Sequence, residues 1–331
     1  MIDRKELVRE RDRFTKRATG ALVGLAVGDA MGDLGRDQEH RARFGIATEL
    51  TPEAKSTDDT EFAILTARSL IDCGGELSSE AITRAWKRYI LDFGGAKKRA
   101  GRPLYGAIEN LKRGLTPPES GRFNVMNDDD GAAMRMAGIG IYCAGDPEEA
   151  ARLAEIDARI SHDGDGVYAA QAVAASTAVA MVDGSVDEII EAGRRFMPSG
   201  SWLDYATTVA MEICDRSGTI EKAYRELHTS LWTPEHAASA EAVPQMYAVF
   251  RLTRGDFRAG LLWSANFGRD ADTIAALTCS LNGALNGIDA IPAQWVAQVR
   301  KAAAVCLEFT KDEDLVSLGE EIAGLVCREC R

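Results

Sequence analysis

Three features of the sequence predict an all-α fold. Apolar residues recur at a helical period along nearly the whole chain. Alanine is abundant, whereas prolines number only nine in 331 residues. No sustained polar–apolar alternation and no hairpin turn signal interrupts the pattern. Alanine has the best helix propensity and proline the worst, so composition and period agree. No linker rich in Ser, Gly or Pro divides the chain, and no self-similar repeat period emerges. The expectation is one compact multi-helix domain over residues 1–331.

Taken in order, Leu22, Leu25, Ala26 and Asp29 share one helix face, and Phe62, Leu65, Ser69 and Leu70 share the next. Helical spacing continues near 79–92, 104–113, 132–143, 147–160, 167–181 and 186–196. It resumes near 202–214, 220–227, 240–252, 257–265, 273–285, 292–307 and 315–327. Start signals support several of these: Ser78 stands before Ala81, Pro147 follows Asp146, and Pro292 follows Ile291.

The formal net charge of -12 and the pI near 5.0 argue against nucleic acid and anionic membrane as partners. No apolar leader follows the charged N-terminus, and the small-apolar stretch 172–182 is too short to span a bilayer, which predicts a cytoplasmic protein. Seven scattered cysteines read as free thiols in a reducing compartment. Cys327 and Cys330 form a lone C-x-x-C without the two further ligands that zinc needs.

Four segments depart from plain amphipathic helix. In Gly20–Gly32, glycines at 20, 24, 28 and 32 fall on one face. Each costs roughly 1 kcal/mol against alanine inside a helix, and close approach of another backbone is the favoured reason over a polar cleft at Asp29. Next, Ser56-Thr57-Asp58-Asp59-Thr60 opens an apolar helix, and Asn266-Phe267-Gly268-Arg269-Asp270-Ala271-Asp272-Thr273 opens another. One capping side chain satisfies a helix start. Two clusters of adjacent carboxylates and hydroxyls exceed that need and suit a shared all-oxygen site for Mg2+, Mn2+ or Ca2+. The fourth segment combines Asn127–Arg135, with its acidic triplet, and Ser161-His162-Asp163-Gly164-Asp165; chemistry alone assigns neither.

These motifs, in this order, resemble the ADP-ribosylglycohydrolase family. The resemblance rests on Gly24-Leu25-Ala26-Val27-Gly28-Asp29-Ala30-Met31-Gly32, Ser56–Thr60, Gly131–Arg135, Ser161-His162 and Gly268–Thr273, and covers a core of about residues 18–310. It implies an all-α glycosidase holding two Mg2+ or Mn2+ ions. Carried over by position, the metal ligands are Thr57, Asp58, Asp59, Asp270, Asp272 and Thr273. Asp59 and Asp270 also stand as catalytic candidates. Asp29, Asp130, Gly131, Met134, His162 and Arg269 are expected to bind substrate. The substrate implied is an ADP-ribosylated protein or a small ribosyl compound, cleaved at the anomeric carbon.

Two departures bear on that carry-over. The family's active-site Glu after the first motif is replaced here by Arg36, within Gly32-Asp33-Leu34-Gly35-Arg36-Asp37, so Asp33 or Asp37 is expected to supply the missing carboxylate. Gly268-Arg269-Asp270 stands where Gly-Gly-Asp is common. Arg36 and Arg269 would suit an anionic substrate group such as phosphate. Two other readings stay open: a metabolic N-glycosidase for a small ribosyl compound, and a catalytically silent binding protein of the same fold.

Overall fold

The computed structural model describes Glu6 and residues 9–329, and among them there are helices and two isolated bridges but no sheet. The order is α1 (Arg11–Arg36), α2 (Gln38–Phe44), α3 (Asp58–Asp72), α4 (Ser79–Tyr89), α5 (Arg102–Lys112) and α6 (Glu119–Arg122). Then come α7 (Ala137–Tyr142), α8 (Pro147–Ala158), α9 (Asp165–Ala180), α10 (Val186–Arg194), α11 (Trp202–Ser217) and α12 (Ile220–Ser230). The chain closes through α13 (Ser239–Leu252), α14 (Phe257–Ala265), α15 (Ala271–Asn286), α16 (Ala293–Val299) and α17 (Leu315–Glu329). The expected all-α class is what the structure has.

The glycine face of α1 organises the molecule. A Cβ added at Gly20 would lie 2.5 Å from the carbonyl oxygen of Gly283, and at Gly24 2.4 Å from that of Cys279. At Gly28 it would lie 2.1 Å from Ala275 O, and at Gly32 2.3 Å from Ala271 O. Each step of four along α1 is thus matched by a step of four backwards along α15. The two helices run antiparallel with their backbones in contact, a spacing only glycine permits. Close packing is the reason for the stripe. Its consequence is positional: the C-terminal turn of α1 is set against the N-terminal turn of α15.

Around this pair a single buried cluster extends from Phe14 to Cys327, with α14 and α17 also packed against α1. Trp86, Phe62, Phe250 and Phe267 are among its largest fully buried side chains. Helix starts are fixed as their sequences suggest. Ser78 accepts from Ala81 N, Asp146 from Glu149 N, and Ser185 forms a capping box with Glu188. No described helix is long and apolar enough to cross a membrane. Cys327 lies in α17, whereas Cys330 lies outside the described residues; Cys73, Cys214, Cys279 and Cys306 are free thiols.

Two expected helices are shorter than their periodicity. The 132–143 segment is a 3-10 turn at Ala133–Arg135 followed by α7. The 292–307 segment is helical only over α16. Beyond it the backbone N–H groups of Val305, Cys306 and Leu307 donate to the buried Glu61 carboxylate at 2.6, 2.9 and 2.5 Å. A side-chain acceptor thus takes the donors that a helix would have used.

Candidate active site

Asp29, buried on α1, accepts from both the backbone N–H and the hydroxyl of Thr57 at 2.6 Å, and from the Thr60 hydroxyl at 2.6 Å. These bonds dock the start of α3 onto α1. The N-cap residues of α3 and α15, Thr57 and Asp270, make no side-chain cap bond. The capping explanation for the two clusters therefore does not describe them. Their carboxylates converge instead on a small pit.

That pit, about 120 Å³, is lined by Asp58, Asp59, Asp129, Asp130, Asp270 and Asp272, with Gly131, Met134 and Thr273 beside them. One oxygen each of Asp29, Asp59 and Asp272 lies within 4.8 Å of the others. Asp59 Oδ1 and Asp130 Oδ2 are buried without a hydrogen-bond partner. Unpartnered buried oxygens are costly and call for a ligand. Burial, then the carboxylates of Asp29, Asp272, Asp58 and Asp270, raises the Asp59 pKa well above the usual range. Burial, then Asp270, Asp129 and Asp59, does the same to Asp130, and burial, then Asp270, to Asp272. Asp58 is pushed up to about 7 by burial and by Asp29, against Arg99. So dense a set of carboxylates is ionised at neutral pH only if cations balance it.

Two guanidinium groups and an imidazole reach the pit. Arg36 Nη1 lies 2.6 Å from Asp270 Oδ1 and 2.5 Å from Asp272 Oδ1. Arg99 Nη2 lies 2.8 Å from Asp33 Oδ1 and 3.5 Å from Asp272 Oδ2. His236 Nε2 stands 3.6 Å from Asp270 Oδ1. Burial works against the charge of Arg36, but Asp272, Asp270 and Asp33 outweigh it.

A larger cleft of about 770 Å³ adjoins the pit, sharing Arg36, Arg99 and His236 with it and walled further by Arg41, Arg269, Asp33 and Asp37. Arg269 has φ +60, the left-handed conformation that glycine takes without strain. It is held there by the buried Glu241, 2.5 Å from its Nε, and it lies over the Trp232 ring.

The expected residues therefore separate into three places. Asp58, Asp59, Asp130, Gly131, Met134, Asp270, Asp272 and Thr273 line the pit. Asp33, Asp37 and Arg269 line the outer cleft; Asp37 is exposed there and accepts from His40 N as the cap of α2. Asp29, Thr57 and His162 lie beneath the pit. Asp29 and His162, both expected to bind substrate, are fully buried, Asp29 bonded to Thr57 and Thr60 and His162 packed against Gly131 and Asp129. His162 Nε2 lies 2.7 Å from Asp129 Oδ1 and its Nδ1 2.7 Å from Ser161 Oγ, so it orients a pit carboxylate from behind. The Thr57 hydroxyl donates its proton to Asp29 and keeps a lone pair directed elsewhere.

Residues outside the expectation complete the scaffold. Arg135, fully buried, donates to Asp157 at 2.6 Å and to the Gly131 carbonyl at 3.1 Å, which pins the 127–135 loop. Asp130 N donates to Ala237 O at 2.8 Å, tying that loop to the His236 segment. Arg99 and His236 sit in no motif; their one sequence signal is charge within a loop. Arg135 ends the Gly131–Arg135 motif, and nothing in its local sequence announces its burial.

Among the described residues, the site is thus a buried aspartate pit beside a basic cleft on an all-helical scaffold. A family profile described as ADP-ribosylglycohydrolase matches residues 10–330, and the chain belongs to that family. It is 32% identical over 287 residues to an uncharacterised protein of Archaeoglobus fulgidus, spanning 83% of this chain and 88% of the relative. It is 25% identical to the ADP-ribosyl-[dinitrogen reductase] glycohydrolase of Rhodospirillum rubrum, over 86% of this chain and 90% of that protein. It is also 25% identical to the ADP-ribosylarginine hydrolase Tri1 of Pseudomonas putida, over 86% and 74% respectively. A solved structure described as an ADP-ribosylglycohydrolase-related protein complex superposes with a TM-score of 0.65 at 22% identity, covering 97% of this chain and all of that one.

Proposed function

We propose that this single-domain chain is a divalent-cation-dependent hydrolase that releases ADP-ribose from a modified protein side chain. The observation that carries the reading is the adjacency of the two cavities: an anionic pit with unpartnered buried oxygens stands beside a cleft walled by four arginines, the two sharing Arg36, Arg99 and His236. The pit is too small for a nucleotide, whereas the outer cleft falls in the usual range for ligand sites. A ribosyl end would enter the pit while a diphosphate lay along the arginines, which suit phosphate oxygens. This arrangement favours an ADP-ribosyl substrate over a simple riboside.

The donor set fits a hard cation. Asp58, Asp59, Asp272 and Thr57, with Asp270 and Thr273, would hold Mg2+ or Mn2+ through oxygen alone. A bound divalent cation supplies charge compensation, orientation of a vicinal diol and polarisation of water. The chain's own groups do the rest. Asp130, buried and carrying a raised pKa, is suited to hold a proton near the anomeric centre and to move it during cleavage. His162, through Asp129, keeps the adjacent wall in place. Asp33 and Asp37 face the outer cleft, and Asp33 is engaged by Arg99, so Asp130 is the better acid–base candidate.

Chelator-treated and Mn2+-reloaded protein should be assayed by mass spectrometry on ADP-ribosyl-arginine, ADP-ribosyl-serine and simple nucleosides. Free ADP-ribose is expected from at least one ADP-ribosyl substrate, only with the cation. Asp130→Asn should lower turnover by about two orders of magnitude, the scale of a general acid or base, and Asp37→Asn should leave it unchanged. Verified Mn2+ binding without turnover of any ADP-ribosyl substrate would sink the reading, and turnover of nucleosides alone would redirect it to small ribosyl compounds.

A further inference from the structure

Within the pit, direct ion pairs to guanidinium groups form at Asp270 and Asp272. Both oxygens of Asp272 face guanidinium groups, Oδ1 at 2.5 Å from Arg36 and Oδ2 at 3.5 Å from Arg99. Asp270 Oδ1 faces Arg36 at 2.6 Å and His236 at 3.6 Å. Beside them, Asp59 Oδ1 and Asp130 Oδ2 have no hydrogen-bond partner, although both side chains are buried. The difference follows from the backbone. The antiparallel register of α1 and α15 sets Gly32 against the start of α15 and carries residue 36 one turn beyond it, so a long cationic side chain at that position has Asp270 and Asp272 within reach.

We propose that Arg36 is a built-in cation that takes the place of a second divalent ion, so that the chain holds a single ion on the Asp58, Asp59 and Asp130 side. This rests on the divalent-cation reading above and replaces the pair of ions that the family resemblance implies. A divalent ion bridging Asp270 and Asp272 would stand about 2 Å from their oxygens and compete with the guanidinium for the same lone pairs. Like charges so close repel strongly in a buried site. Arg36 is tethered at the end of a helix locked against α15, so it bears no cost of association from solution. It also stands at a helix C-terminus, where a cation is favoured by the peptide dipoles. On the other side Arg99 acts on Asp58 only from beyond ion-pair distance, and among the described residues neither Asp59 nor Asp130 has an ion-pair partner. An ion there finds Asp59, with an oxygen of Asp272 or Asp29 in reach and hydroxyls at the start of α3.

Metal stoichiometry tests this without any assay of turnover. Chelator-stripped full-length protein is titrated with Mn2+, the bound ions are counted by elemental analysis after gel filtration, and the spectrum is recorded by low-temperature electron paramagnetic resonance. The expected result is one Mn2+ per wild-type chain, with the hyperfine pattern of an isolated ion. Arg36→Glu should bind two ions with a spin-coupled spectrum, and Arg36→Lys, which keeps the charge, should stay at one. Two coupled ions in the wild type would overturn the proposal while leaving the divalent-cation reading intact. An unchanged single ion in a folded Arg36→Glu protein would also overturn it. No bound ion in either protein would sink both. If Arg36→Glu fails to fold by circular dichroism, Arg36→Gln gives the same decision: uptake of a second ion supports the inference, and one ion at saturation refutes it.

Discussion

Asp59 concentrates the electrostatic problem of the pit in one side chain. It is buried, one of its oxygens is unbonded, and four other carboxylates surround it. Replacing it with asparagine keeps the shape and removes a charge that burial and its neighbours disfavour. The substitution also supplies an amide N–H that the nearby carboxylates accept. Asp59→Asn is therefore expected to melt no lower than wild type when both are metal-free at neutral pH, and to lose most of the melting gain that Mn2+ gives the wild type. A capping role would give the opposite pattern, a loss of about 1 kcal/mol with cation binding intact. Melting curves with chelator and with Mn2+ separate the two. At this scale much was legible in the residues: the aspartates at 58, 59, 270 and 272 stood out because their number exceeded any cap's need. Arg36 stood out as a departure from a pattern, but its partner did not, because nothing local says which carboxylates a tethered guanidinium will reach. His162 illustrates a different gap. Its neighbours in sequence identify it as notable, yet whether it faces the cleft or supports Asp129 from beneath depends on a contact 33 residues away.

Helices were legible where their periodicity met no competing acceptor. The 292–307 segment shows the limit: its apolar spacing is helical, but Glu61, more than 240 residues earlier, captures three of its N–H groups. The glycine stripe of α1 announced a close neighbour without naming it, since any backbone would satisfy the spacing. The contact with α15 gives that feature an energetic sign. In an isolated helix, Gly28→Ala would add about 1 kcal/mol of stability through propensity. Here the new Cβ would lie 2.1 Å from Ala275 O and 2.4 Å from its carbonyl carbon, both backbone atoms that cannot swing aside. Steric cost outweighs propensity, and a net loss of about 3 kcal/mol is expected. The same shift would move Arg36 relative to Asp270 and Asp272, so Mn2+ affinity should change along with the denaturation midpoint. A Gly28→Ala protein as stable as wild type would show that α1 and α15 are not in backbone contact in solution.

At the scale of the whole molecule, the pit links folding to pH and to cations. Burial raises the pKa values of Asp29, Asp58, Asp59, Asp130 and Asp272 in the folded state, and neighbouring carboxylates add to the rise for all but Asp29, whose bonds to Thr57 and Thr60 oppose it. In the unfolded chain they return to about 3.9. A group whose folded pKa is raised binds more protons when folded, so its contribution favours folding at low pH and is lost as pH rises through the folded value. Asp58, at about 7, places part of that loss near neutrality. Metal-free protein should therefore melt at a lower temperature at pH 8 than at pH 5. Net charge of -12 gives the same sign through surface repulsion, so the trend alone does not isolate the pit. Salt does. Exposed charges are largely screened at about 1 M ionic strength, where the Debye length is roughly 3 Å, whereas buried neighbours are screened far less. The pH dependence should persist in high salt, and Asp59→Asn should flatten it there. Mn2+ adds the converse test, because the cation competes with protons for the same oxygens: its melting gain should be larger at pH 8 than at pH 5. If high salt abolishes the metal-free trend, or if the Mn2+ gain does not grow with pH, the pit carboxylates are not the groups that couple stability to protons and cations.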